Sequence, residues 1–150
     1  LKEKVGSIEN FNMLGFDQVE FKVAGVNLSF YVSNSYSPVS EPVSFLGNIR
    51  LADVPAILAM KIEVMLRRIQ MRDYYDIYSI LKEGYNISTG IESALKYSRH
   101  KLKTKNAVMM LMSARFSVDE KMGQLEPKYN VSKEEMREYI AKKLRESGLI

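Results

Sequence analysis

The 150-residue sequence has no cysteine and a single histidine, His100. These absences exclude a disulfide framework and any thiolate or multi-histidine metal site, and they argue against a Ser-His-Asp triad. No apolar run approaches the roughly 20 residues that a transmembrane helix needs, so no membrane partner is predicted. The first residues mix charges without an apolar stretch after them, unlike a signal peptide, and we therefore predict a cytoplasmic protein.

Glycine and proline are also sparse, with 8 and 4 residues in the chain, and neither occurs between Ala56 and Glu83. This central stretch can therefore run as one long helix or as two abutting helices. Asp53 suits the N-cap, Pro55 the first turn and Gly84 the C-terminal stop. The apolar residues of the stretch cover most of the helix circumference, which is typical of a central, buried helix.

The charges within this central stretch are regularly spaced. On a continuous helix, intervals of seven, four and four residues place four of them in one stripe, namely Lys61, Arg68, Arg72 and Asp76. Asp73 lies beside this stripe. The spacing fits a solvated edge on which Arg72 and Asp76 form an i,i+4 ion pair. It also fits a row of cations and acids at the rim of a cleft.

The segments before the central stretch alternate between apolar and polar residues. The alternation predicts two strands, over 17–24 and 26–33, joined at Gly25 as an antiparallel hairpin. Residues 1–14 have the spacing of a short helix. Residues 34–47 are rich in Ser and Pro and predict a loop, and 48–51 a brief third strand or an extended entry to the central helix.

The segments after Gly84 have a helical pattern. One helix is predicted over 90–103, capped by Ser88 or Thr89, and a second over 107–116, with Thr104 or Asn106 at its beginning. A capping box at Ser132-Lys133-Glu134-Glu135 predicts a terminal helix that ends near residue 147.

A basic run lies at the end of the first of these helices. Lys96, Arg99 and Lys103 recur at intervals of three and four residues. The pattern fits a solvated lysine-rich face. It also fits a patch that follows the phosphates of a nucleic acid, which requires positive charge more than base contacts. The net charge of +4 is only a mild bias toward such polyanions.

The central stretch carries a family resemblance. Lys61, then Arg68, then the run RDYYDIY over 72–78 resemble the K-x6-R…RDxxDhY block of the nucleotidyltransferase AbiEii/AbiGii toxin family of type IV toxin–antitoxin systems. The entry at 49–53 and the strand pair at 21–30 are similar too.

The resemblance implies roles for the charged residues of the block. Lys61 would contact the phosphates of a nucleotide. Arg68 and Arg72 would neutralise phosphate charge or hold the carboxylates, and Asp73 and Asp76 would serve the catalytic centre.

The family's fold also begins with a Gly-Ser turn and a D-x-D pair that holds divalent metal ions. Asp17 follows a Gly-Ser pair at about the right interval, but Val19 takes the place of the second acid. Glu20 would point to the opposite face of a strand from Asp17. The resemblance thus implies an Mg²⁺ cofactor whose main ligands are absent from this chain. Because the chain does not begin with Met, we expect the C-terminal portion of a longer protein. Because the acidic pair is missing, we expect this portion to be inactive by itself.

The predicted fold is α+β. A partial nucleotidyltransferase-type sheet, the hairpin 17–33, packs on the central helix and is followed by a C-terminal helical bundle, with regions 1–85 and 86–150 forming one compact unit. The implied function is transfer of nucleotides from a nucleoside triphosphate to an RNA acceptor, with tRNA and an antitoxin as further partners. The alternative is a non-catalytic module in which the RDxxD block is a structural salt-bridge network and the helical tail binds an antitoxin or another protein.

Overall fold

A computed structural model describes residues 8–14, 18–31, 39–68, 70–113, 115–116 and 126–150. Chain contacts form two compact units, Leu1–Ser35 and Tyr36–Ile150. The described elements confirm the α+β class. They are, in order, β1 (Ile8–Met13), β2 (Gln18–Val23), β3 (Val26–Tyr31), β4 (Val43–Leu46), β5 (Ile49–Leu51), α1 (Val54–Val64), α2 (Met71–Lys82), α3 (Ile87–Tyr97), α4 (Thr104–Ser113) and α5 (Lys133–Glu146).

The first unit is a three-stranded antiparallel sheet in the order β1-β2-β3. The predicted hairpin is confirmed, and its tight turn lies at Ala24 and Gly25, whose φ angles are +46° and +83°. The rings of Phe11, Phe21 and Phe30 stack across the three strands, with centroids 6.5 and 5.5 Å apart.

The helix predicted over 1–14 is wrong for residues 8–13, which form β1. A helix this short is marginal by itself, whereas pairing with β2 gives cross-strand hydrogen bonds and the ring stack. Residues 1–7 and Asp17 lie outside the described part of the chain. The packing of the hairpin on the central helix stays a prediction.

A second hairpin replaces part of the predicted loop 34–47. Residues 43–46 form β4, which pairs antiparallel with β5 across a turn at Gly47, where φ is +55°. The strand predicted near 48–51 is confirmed as β5. The loop prediction overlooked β4 because its run Val-Ser-Phe-Leu is too short to show alternation clearly.

The central stretch folds as two helices, α1 and α2, rather than one. The Asp53 side chain caps α1 as predicted, since its Oδ1 accepts a hydrogen bond from the amide of Ala56 at 2.8 Å. The helix ends at Val64, and Gln70 precedes α2 without a side-chain cap. None of residues 55–65 is fully exposed, which confirms a buried central helix. The break lets apolar residues on different faces of the stretch enter the same core.

That core is shared by all five described helices. Its fully buried members include Ile62 of α1, Ile77 of α2, Ile91 of α3, Leu111 of α4 and Ile140 of α5. Helices on both sides of residue 85 therefore contribute to one core, and the boundary between regions placed at that residue stays a prediction.

The later helices are shifted from their predicted bounds. The helix predicted over 90–103 is wrong in its limits, because Asn86 caps α3 three residues earlier through hydrogen bonds to the amides of Ser88 and Thr89, and α3 ends at Tyr97. α4 begins at Thr104, one of the two predicted starting residues, and ends at Ser113 rather than at 116. The capping box of Ser132 and Glu135 is confirmed at the start of α5. No described helix is long and apolar enough to cross a membrane.

Helices α1 and α3 approach each other closely at Gly90. A Cβ atom at this position would meet Leu58 Cδ2 at 2.6 Å, and Leu58 is 2% exposed, so its side chain has little space to move. Glycine inside a helix costs about 1 kcal/mol relative to alanine. The contact between α1 and α3 offsets this cost.

We expect Gly90→Val to lower the free energy of unfolding by about 1–3 kcal/mol, the usual cost of overpacking a core. Urea denaturation measures it. The matched control is Thr89→Val, which places the same side chain on the exposed neighbour and should change stability by no more than about 0.5 kcal/mol. Equal losses in the two variants would contradict a tight contact at Gly90.

Candidate functional site

Four charged side chains of the resembling block meet at the break between α1 and α2. Lys61 Nζ on α1 lies 2.9 Å from Asp73 Oδ1 and 2.6 Å from Asp76 Oδ2 on α2. Arg68, in the connection between the helices, places its Nε 3.4 Å from Asp73 Oδ2. We call these four residues the charge cluster. The cluster forms because α2 presents two carboxylates, three residues apart on one face, to the last turn of α1.

The two carboxylates of the cluster differ sharply in exposure. The Asp73 side chain is 1% exposed, whereas that of Asp76 is 42% exposed. Asp73 Oδ2 is buried without a hydrogen bond, so Arg68 at 3.4 Å is its ionic partner but not a hydrogen-bond donor. Asp73 therefore anchors Lys61 and Arg68 from within the fold. Asp76 is the carboxylate that a ligand can reach.

The ammonium of Lys61 is held in its charged form. Burial pushes the pKa of Lys61 down, but the hydrogen bonds and negative charges of Asp76 and Asp73 together outweigh burial and raise this pKa above its ordinary value. The formal charges of the cluster cancel, since two cations face two carboxylates. An incoming anion must consequently compete with Asp76 for the ammonium of Lys61.

The predicted stripe of four charges on one helix is wrong, because the helix breaks between Lys61 and Arg72. Lys61, Arg68 and Asp76 still come together, but across the break rather than along a face. Arg72 is exposed and turns away, donating from its Nε to Gln70 Oε1 at 2.9 Å. No ion pair between Arg72 and Asp76 occurs in the described residues.

The predicted basic patch is split by the end of α3. Lys96 lies on the helix, whereas Arg99 and Lys103 lie in the connection to α4, where Arg99 has a φ of +51°. All three side chains are exposed. Their spacing therefore does not align them along one helical face.

Metal ligands are a separate question. Within the described residues, no three Asp, Glu, His or Cys side chains group in a way that could hold a metal ion. The two carboxylates of the cluster are already bound by Lys61 and Arg68. The described residues do not form a complete Mg²⁺ site.

Comparison with known proteins assigns the chain to a family. The profile of the nucleotidyl transferase AbiEii toxin family, type IV toxin–antitoxin system, matches residues 26–146. This match covers more than half of the chain. The chain belongs to the AbiEii family. No curated protein and no solved structure matches it.

The family match confirms the resemblance drawn from the sequence, and it includes α1, α2 and every residue of the charge cluster. The roles of the individual residues in this AbiEii chain stay predictions. The sequence analysis overlooked one buried charge, Glu63, which is 5% exposed and pairs with Arg67 Nη2 at 2.7 Å. The i,i+4 spacing of Glu63 and Arg67 is the pattern in the sequence that predicts this ion pair.

We expect Asp73→Asn to destabilise the chain far more than Asp76→Asn. Removing one partner of a fully buried ion pair costs about 3–5 kcal/mol, and an exposed pair contributes at most about 1 kcal/mol. The partners of Asp73 are part-exposed, so its loss should fall between these limits, near 2 kcal/mol, and that of Asp76 below 1 kcal/mol. Urea midpoints of the two variants test this, and a reversed order would refute the anchoring role of Asp73.

The raised pKa of Lys61 predicts a dependence of stability on pH. The unfolded chain loses this proton at lower pH than the folded chain, so the contribution of Lys61 is complete below its unfolded pKa and is lost as pH rises through the folded pKa. We expect the stability difference between wild type and Lys61→Met to be constant from pH 7 to about 9.5 and to shrink above about pH 10.5, near the ordinary lysine pKa. Urea melts of both proteins at each pH check it; a difference that grows with pH would be the wrong sign.

Proposed function

We propose that the charge cluster binds the phosphates of a nucleoside triphosphate and takes part in nucleotidyl transfer to an RNA acceptor. This proposal rests on the difference in burial between the carboxylate and the cations of the cluster. Buried Asp73 holds two cations, Lys61 and Arg68, whose side chains are 28% and 48% exposed. Cations that are held in place yet reachable are suited to phosphate, because phosphoryl-type transfer depends mainly on positioning and charge stabilisation.

Binding requires an exchange of partners at Lys61. Asp76 is part-exposed, and water can solvate its carboxylate once a phosphate oxygen takes its place at the ammonium. Asp73 keeps its contact with Lys61 throughout, so the ammonium stays oriented. Asp73 is therefore a positioning residue. Replacing it with the isosteric Asn should disturb the arrangement of Lys61 and Arg68 and should remove no direct contact with a ligand.

Asp76 then has a chemical role open to it. Nucleotidyl transfer forms a bond between a hydroxyl oxygen of the acceptor and the α-phosphorus, and it breaks the bond to pyrophosphate. The hydroxyl proton needs an acceptor, and a carboxylate beside the phosphate-binding cations can take it. Lys61 and Arg68 would offset the charge that develops on the pyrophosphate.

The wider biology follows from the family. AbiEii proteins are described as toxins of type IV toxin–antitoxin systems, which supports an antitoxin as a partner. A tRNA acceptor and a cytoplasmic setting complete the proposal. The exposed cations Lys96, Arg99 and Lys103 are candidates for contacts with RNA phosphates, which need no common helical face.

A second candidate function has an observation in its favour. The four charges of the cluster satisfy one another, and Asp73 is buried, as expected for a salt-bridge network that only stabilises the fold. Under this alternative the chain is an interaction module for an antitoxin or another protein. The two functions differ in whether a triphosphate reaches Lys61.

We expect a nucleoside triphosphate to bind the chain weakly, with a dissociation constant near 1 mM, or about 4 kcal/mol. The affinity should fall steeply with added salt. Titration followed by amide chemical shifts should show changes around Lys61 and Arg68. Arg68→Ala should weaken binding at least tenfold, whereas the matched Arg72→Ala should change it less than twofold, because Arg72 turns to Gln70.

Three controls decide between the candidates. Equal losses of triphosphate affinity in the two arginine variants would contradict phosphate binding at the charge cluster. Amide shifts confined to residues 96–105 would favour the interaction module over the nucleotidyltransferase. Transfer is assayed separately by labelled nucleotide on RNA, with Asp76→Asn expected to fold normally and to reduce any transfer that wild type shows.

A further inference from the structure

We propose that a cavity along helix α1 is a binding site for a nucleobase. The cavity lies between α1 and the start of α3 and has a volume of about 110 Å³. Its lining includes Pro55, Leu58, Tyr85, Asn86, Thr89 and Ser93. Nothing in the family match assigns a role to these residues.

The floor and one wall of the cavity are apolar. Leu58 and Pro55 come from α1, and Gly90 lets α3 approach so closely that a Cβ atom there would meet Leu58 Cδ2 at 2.6 Å. Tyr85, in the connection between α2 and α3, is 38% exposed and supplies an aromatic ring. An apolar floor beside a part-exposed ring accepts a flat ligand, and bases stack on aromatic side chains whatever their sequence.

The rim of the cavity carries hydrogen-bonding groups in one row. Asn86, Thr89 and Ser93 are spaced by three and four residues, so they lie on one face at the start of α3. Asn86 Oδ1 accepts from two backbone amides, which leaves its side-chain NH₂ as a donor. Among the described residues, the hydroxyls of Thr89 and Ser93 have no hydrogen-bond partner. One amide donor and two hydroxyls, which both donate and accept, suit the mixed edge of a base.

Charge and size narrow the class of ligand. No residue in the lining carries a charge, so the site provides no cation to pair with a phosphate and favours an uncharged group. Pockets for drug-sized molecules measure roughly 300–1,000 Å³, and 110 Å³ therefore admits one ring system rather than a whole nucleoside. A nucleobase is planar, uncharged and bordered by donors and acceptors, and it meets all three conditions.

The cavity and the charge cluster share helix α1. Leu58, in the floor of the cavity, precedes Lys61 by three residues, a rise of about 4.5 Å along the helix. The base site does not rest on the proposed function.

Nucleosides test the base site because they lack phosphate. Uridine, cytidine, adenosine and guanosine are titrated to millimolar concentration into the 150-residue chain, and amide shifts are followed. We expect saturable shifts at Thr89, Gly90 and Ser93 with at least one nucleoside and none with ribose. Absence of these shifts for all four nucleosides, or equal shifts with ribose, would overturn the proposal.

Variants on α3 supply the matched comparison. Ser93→Leu fills the cavity from its rim and should weaken nucleoside binding at least tenfold. Glu92→Leu introduces the same side chain at an exposed neighbour outside the lining and should change binding less than twofold. Tyr85→Ala removes the aromatic wall at a part-exposed position, and a comparable loss is expected. Equal binding by Ser93→Leu and wild type would refute the site.

The nucleobase site and the proposed function of the charge cluster can be refuted independently of each other. Nucleoside shifts at Ser93 without triphosphate shifts at Lys61 would leave the base site standing and remove the proposed function. If a triphosphate shifts the amides near Lys61 but not Ser93, and no nucleoside causes shifts, the proposed function would stand and the base site would be refuted.

Discussion

The carboxylate of Asp73 is buried within the helical core, and the geometry around the helix break depends on how its charge is satisfied. An uncompensated carboxylate at such depth is costly. Lys61 from α1 and Arg68 from the connection reach it, and each keeps part of its length in water. The need to neutralise Asp73 therefore holds α1, the connection and α2 in one arrangement. The same arrangement leaves two cations and Asp76 facing solvent, where a phosphate can meet them.

The same helix α1 serves a second contact on another face. Gly90 of α3 allows Leu58 to pack against the backbone of its partner helix, and the cavity borders this contact. A single eleven-residue helix thus presents Lys61 to α2 and Leu58 to α3. Because nearly every face of α1 is covered, a substitution on it is transmitted to one of its neighbours. A variant on this helix can therefore change stability as well as any contact with a ligand, and urea denaturation must accompany each binding experiment.

Part of this structure follows from local rules. The Asp53 cap, the capping box at Ser132 and the β2–β3 hairpin depend on residues close together in sequence, and they appear as predicted. The errors arise where the pairing of a strand or a competing cap decides. β1 is a strand because β2 pairs with it, and β4 because β5 does. The limits of α3 moved because Asn86, rather than Ser88 or Thr89, supplies the cap.

The sequence by itself indicated the family and singled out every residue of the charge cluster, together with Arg72, because the spacing of Lys61, Arg68 and the RDxxD run is a local pattern. Only the tertiary structure decided how those charges divide. Asp73 and Asp76 are three residues apart on one helix, yet one is 1% and the other 42% exposed. Sequence spacing specifies an angle around a helix, whereas burial depends on which other helices cover that angle. For the same reason Arg72 lies outside the cluster, because α1 and α2 are separate helices. The cavity at Gly90 likewise depends on the packing of α1 against α3.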